Sequence, residues 1–113
     1  MELYNNPANQ FVAGFLGAPS MNFIPATTVG GAPGHTLGVR PEHLRTAETG
    51  RLEAEVVHVE RLGGDTNVLV NIADGHSMTV RLFGQHHISV GEKVSLDFDD
   101  SDTFLFDANG QPV

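Results

Sequence analysis

Two runs of alternating side chains joined by an Asp-Gly pair restrict what this chain can fold into more than any other feature. Thr66, Val68, Val70 and Ile72 recur at every second residue, Asp74-Gly75 follows, and Met78, Val80 and Leu82 repeat the period on the return. Successive side chains of a strand point to opposite faces, so each run is a strand with one apolar face. Asp-Gly accepts the left-handed torsions of a tight reversal, which joins the two as an antiparallel hairpin. An isolated hairpin is barely stable in water, so the rest of the chain has to cover that apolar face.

Other short runs have the same character. Leu52-Glu53-Ala54-Glu55-Val56 alternates apolar with acidic, and Val56-Val57 breaks the alternation before Val59, as a bulge or a switch to two-sided burial would. Val94, Leu96 and Phe98 predict a further strand, and Phe104-Leu105-Phe106 a last one before the turn Asp107-Ala108-Asn109-Gly110. Two shorter strands, near Asn22 to Thr28 and His35 to Val39, precede Pro41-Glu42-His43-Leu44, which reads as a turn or a single helical turn. Five or six short strands cannot persist as an open sheet in 113 residues, because edges stay unpaired and one face stays wet. Closure into a small Greek-key barrel removes both problems.

One helix is expected before the strands. Asn6 can cap free N–H groups, Pro7 fits the first turn, and Ala8, Phe11, Val12, Phe15 and Leu16 form one stripe that Gly17 ends. Such a short helix is marginal alone, so Phe11, Phe15 and Leu16 are expected to bury against something.

Six basic residues against fourteen acidic ones give a net charge of -8. The basic residues are scattered as Arg40, Arg45, Arg51, Arg61, Arg81 and Lys93, without the cluster that neutralising phosphates requires, so nucleic acid is excluded as a partner. The longest apolar stretch, Phe11 to Ala18, is far below the roughly 20 residues that cross a bilayer. Cysteine is absent, which suits a reducing cytosol. The phosphate-binding loop G-x-x-x-x-G-K-[ST] is absent too, since Lys93 follows Glu92 in no such context. No nucleophile, base and orienting group can be assembled from spacing, and no catalytic or metal site is expected. His86 and His87, placed on a strand, would point to opposite faces and could not share an ion, so surface histidines are expected. Asp97-Phe98-Asp99-Asp100-Ser101-Asp102 lacks the glycine and glutamate of a calcium loop and reads as a solvated acidic turn.

Several motifs stand in a recognisable order. They are Pro7-Ala8-Asn9-Gln10-Phe11-Val12-Ala13-Gly14-Phe15-Leu16-Gly17, Met21-Asn22-Phe23, Leu37-Gly38-Val39-Arg40-Pro41-Glu42-His43-Leu44, Glu60-Arg61-Leu62-Gly63-Gly64-Asp65-Thr66 and Leu105-Phe106-Asp107. In this order the chain resembles the C-terminal regulatory region of the ATP-binding subunit of carbohydrate and glycerol-3-phosphate ABC importers. The resemblance implies a mainly β fold, a small OB-type Greek-key barrel of the transport-associated (TOBE) kind, with five to seven strands and one N-terminal amphipathic helix. It implies a division into a helix over 1–18, leading to an ATPase domain, and a barrel over 19–113. Between Met21-Asn22-Phe23 and Leu37-Gly38-Val39 the family usually carries a longer stretch with an extra hairpin, so Ile24 to Thr36 reads as abridged.

The resemblance further implies a regulatory and dimerising module with no cofactor of its own, ATP and Mg belonging to the ATPase domain. Its partners would be a second copy of itself, that ATPase domain, an inhibitory regulator, and membrane permease subunits through the ATPase domain only. The location would be cytoplasmic, peripheral at the inner face of the membrane. Arg40, Pro41, Glu42, Glu60, Gly63, Asp65 and Thr66 are the candidate interface residues. Arg40-Pro41-Glu42 leaves two readings open: an exposed charged corner that docks on a partner, or an internal pair of Arg40 with Glu42 or Glu60. The 60–66 loop reads as turn chemistry with a subunit contact nearby. A competing function is a small-oxyanion-binding barrel of the molybdate type, with Lys93, Ser77 and Thr66 as contributors. An inert appendage, monomeric and without partners, is the third.

Overall fold

The computed structural model describes residues 7–15, 19–84 and 86–113. Its elements run α1 (Gln10–Phe15), β1 (Asn22–Pro25), a 3-10 turn (Ala26–Val29), β2 (Thr36–Val39), a 3-10 turn (Pro41–His43), β3 (Arg45–Ala47), β4 (Leu52–Leu62), β5 (Asp65–Ile72), β6 (Ser77–Phe83), β7 (Lys93–Asp97), a 3-10 turn (Asp100–Asp102) and β8 (Thr103–Phe106). The eight strands form a three-stranded sheet, β1-β2-β8, and a five-stranded one, β3-β7-β4-β5-β6. The fold is mainly β, an OB-type barrel, with eight strands where five to seven were expected. The extra one is β3, three residues paired with β7 through Arg45–Asp97, Thr46–Leu96 and Ala47–Ser95, and too short to show a period.

The hairpin that most constrained the sequence is β5–β6, in register from Asp65–Phe83 to Asn71–Ser77, with Gly75 at φ 96° in the turn. Its inward side chains Val68, Val70, Ile72, Met78, Val80 and Leu82 join Leu52, Ala54 and Val56 of β4, Leu96 of β7 and Ile24, Leu37 and Val39 of the smaller sheet in one core. The break in alternation at Val56-Val57 is a register shift between Val56 and His58 in the β4–β5 pairing. Without it, every side chain beyond Val57 would face the wrong way.

The two sheets meet at Asn22. Its amide nitrogen donates to the Thr79 carbonyl at 2.8 Å and its amide oxygen accepts from the Thr79 N–H at 2.8 Å, so one side chain stands in for a strand partner along the edge of β6. Asn22 is buried, where an unmet amide would be costly.

The helix differs from its expectation. It covers six described residues, and its cap is Asn9, whose Oδ1 accepts from the Val12 N–H at 2.9 Å. Asn6 and Leu16 lie outside the described residues. Phe11, expected to bury, is 73% exposed, while Ala13 is fully buried with Met21 and Phe106 in a second small core. The narrow side of the helix therefore packs on its own barrel, and the Gln10 N–H donates to the Gly110 carbonyl at 2.8 Å.

The acidic turn is open to solvent at 99–101, as expected, and it also carries ion pairs. Arg51 donates to Asp97 at 2.9 Å, to Asp100 at 2.7 Å and to the Phe98 carbonyl, and its guanidinium lies 3.9 Å from the centroid of the Phe98 ring. Arg45 bonds Asp99 at 3.1 Å. Two arginines thus fasten a turn that remains solvated.

Candidate functional site

The β4–β5 hairpin carries four of the candidate residues. Leu62 pairs with Asp65, so Gly63-Gly64 is a two-residue reversal; Gly63 has φ 60° and Gly64 does not share the sign, as a type II′ turn requires. Side chains of this hairpin then divide between two surfaces.

On the outer surface the register sets three rows across β4, β5 and β6: Leu62, Asp65, Phe83; then Glu60, Asn67, Arg81; then His58, Leu69, Thr79. Leu62, Leu69 and Phe83 are 44%, 37% and 60% exposed, three large apolar side chains on one open sheet face. Charges surround them. Asp65 accepts from Arg81 at 2.8 Å, and the Arg81 guanidinium lies 6.0 Å from the Phe83 ring centroid. A shallow groove of about 250 Å3 crosses the same face between Pro19, His58, Glu60, Asn67, Leu69 and Thr79.

The inner surface ends at the barrel mouth. There Arg61 stands opposite Thr66, and the two line a cavity of about 190 Å3 with Gly63, His86 and His87. Arg61 reaches the Ile88 carbonyl only at 3.4 Å. The His86 Nε2–H donates to the Phe83 carbonyl at 2.8 Å. His86 and His87 lie in a loop after β6 rather than on a strand, which is why both reach one cavity when strand geometry would have separated them.

Arg40, Pro41 and Glu42 sit elsewhere, on the 3-10 turn that packs against β6. Arg40 is 2% exposed and Pro41 is buried, so only Glu42 of the three presents a partly open side chain. The Arg40 guanidinium lies 5.8 Å from the Phe104 ring centroid. The arginine stem and the aromatic cover of β8 make this corner part of the barrel wall.

Lys93, Ser77 and Thr66, the expected oxyanion set, are not brought together. Lys93 pairs with Glu55, six positions along β4 from the Arg61 that faces Thr66, roughly 20 Å away at the rise of a strand. Ser77 donates to Asn71 at the other end of β5.

Residues 37–106 match the TOBE domain family. The chain belongs to that family. Curated relatives include an uncharacterized ABC transporter ATP-binding protein of Sinorhizobium fredii, 39% identical, covering 96% of this chain and 35% of the relative. A lactose transport ATP-binding protein of Rhizobium radiobacter is 31% identical over all of this chain and 40% of its own length. An sn-glycerol-3-phosphate import ATP-binding protein of Chromohalobacter salexigens is 34% identical over all of this chain and 37% of its own. The chain thus spans little more than a third of the curated relatives it matches. The matched stretch of the TOBE domain includes both the outer face of β4–β5–β6 and the cavity at the barrel mouth. Among the described residues, no group of three or more His, Asp or Glu side chains could hold a metal ion, and no helix is long and apolar enough to cross a membrane.

Proposed function

We propose that this chain is a non-catalytic regulatory and dimerising domain of the ATP-binding subunit of a sugar or glycerol-3-phosphate ABC importer. The observation that carries the reading is the outer face of β4–β5–β6, where Leu62, Leu69 and Phe83 lie open inside a rim of Glu60, Asp65 and Arg81. An apolar centre with a charged rim is the anatomy of a protein interface. A second copy of the chain is its occupant, with the two faces related by a two-fold axis.

The ATPase domain, with its ATP and Mg, would join through the segment over 1–18 ahead of the barrel at 19–113. Two such domains separate after each hydrolysis, and a lasting contact between the barrels keeps their reassociation intramolecular. A regulator that binds one arrangement better than the other would hold the importer in it, and Glu42 and Glu60 offer charged contacts for that purpose. Permease subunits would be met through the ATPase domain, and the assembly would lie in the cytoplasm at the inner face of the membrane.

Sedimentation equilibrium tests this reading. The chain is expected to dimerise, and Phe83→Asp together with Leu69→Asp to give a folded monomer. A wild-type chain that stays monomeric at every concentration would overturn it.

A further inference from the structure

We propose that Asn109-Gly110 is a self-modification site, where deamidation lengthens the backbone and releases α1 from the barrel. Of the seven asparagines, Asn5, Asn6, Asn9, Asn22, Asn67 and Asn71 each precede a residue with a side chain, and only Asn109 precedes glycine. With no Cβ beside it, the Gly110 nitrogen can approach the Asn109 Cγ unhindered. Asn109 is exposed in the turn after β8, and among the described residues its carboxamide makes no hydrogen bond.

The Gly110 nitrogen gives its proton to solvent and attacks the Asn109 Cγ. A C–N bond forms there, the bond from Cγ to the side-chain nitrogen breaks, and that nitrogen takes a proton back from solvent and leaves as ammonia. Water then opens the five-membered imide at either carbonyl. One opening gives an ordinary aspartate; the other runs the main chain through Cβ and adds a methylene to it. Asp74-Gly75 is a poor rival, because an ionised carboxylate has no ammonia to expel and Asp74 already accepts from Thr28 and His76.

The turn sets the pace and carries the consequence. The Gly110 N–H donates to the Asp107 carbonyl at 2.9 Å, and the Asp107 carboxylate accepts from the Asn109 and Gln111 N–H groups at 2.9 and 3.0 Å. The attacking nitrogen is thus engaged until the turn opens locally. The Gly110 carbonyl in turn accepts from the Gln10 N–H at 2.8 Å, one of the donors that the first turn of a helix leaves free. A methylene inserted before Gly110 displaces both of its polar groups, and a six-residue helix has little stability of its own to hold its place.

Incubation of the 113-residue chain at mildly alkaline pH, followed by peptide mass spectrometry and hydrogen exchange, tests the site. One mass unit should be gained first at Asn109, faster as pH rises and several-fold faster in Asp107→Ala. Asn109→Gln should abolish that gain, since its longer side chain closes a less favourable ring. The Gln10 amide should exchange several-fold faster in the purified β-aspartyl product than in Asn109→Asp, which adds the charge without lengthening the chain. Mass gain led by another asparagine, an unchanged rate in Asp107→Ala, or a Gln10 amide equally protected in the β-aspartyl product and in Asn109→Asp would overturn the proposal.

Discussion

Asn22 and Thr79 are joined by two reciprocal 2.8 Å hydrogen bonds, the side-chain amide of one completing the backbone of the other across the seam between the sheets. Neither sheet has another strand to spare at that seam. Asn22→Leu keeps the volume but leaves the Thr79 N–H and C=O without partners. The variant should lose about 2–4 kcal/mol of unfolding free energy, two part-buried groups at about 1–2 each. Urea denaturation measures it, and a loss within about 0.5 kcal/mol, the level of an ordinary surface change, would remove Asn22 from this role.

Gly50 precedes β4 and passes close to β7. A methyl there would lie 2.5 Å from the Leu96 carbonyl carbon and 3.1 Å from the Asp97 nitrogen, both backbone atoms with no freedom to retreat. Gly50→Ala should therefore cost about 1–3 kcal/mol. Gly64, with open space around it and no positive φ, is the control and should tolerate alanine within about 0.5 kcal/mol.

Arg51 holds Asp97, Asp100 and the Phe98 ring together on a partly open surface. Solvent screening keeps such ion pairs small, so Arg51→Ala should cost about 1 kcal/mol, much of it from the lost stacking on Phe98. The ion-pair share should shrink as salt is added, and thermal melts at low and high ionic strength check this.

Acid should loosen two places. The Phe98 N–H and then Arg51 hold the Asp97 carboxyl below its ordinary 3.8. The Thr28 hydroxyl and then the His76 N–H do the same for Asp74. A carboxyl depressed in the folded state contributes stability above its unfolded value and loses it as pH falls through the folded one. Stability should thus be flat above about pH 4 and decline below it. Thr28→Val should make that decline shallower, since Thr28 is the largest cause at Asp74.

How much of this was legible depends on the distance along the chain. The β5–β6 hairpin and the bulge after Val56 were readable because their signals are local alternation and an Asp-Gly pair. β3 was not, because three residues carry no period. The Arg51 clamp joins groups 46 and 49 residues apart, and the Asn22 bridge spans 57, so neither leaves a mark in any short window. Arg40 was left open between an exposed charged corner and an internal pair; it is buried, and the ring beside its guanidinium is that of Phe104, far away in sequence. The cavity at the barrel mouth was missed for a different reason. His86 and His87 were placed on a strand, and a loop obeys no alternation.

The most direct test of the account is an amide-shift dilution series on the 113-residue chain. A barrel that grips its own copy through β4–β5–β6 predicts concentration-dependent shifts at Leu62, Asp65, Leu69, Arg81 and Phe83, abolished by Phe83→Asp. Spectra unchanged on dilution, or shifts confined to some other part of the surface, would contradict it.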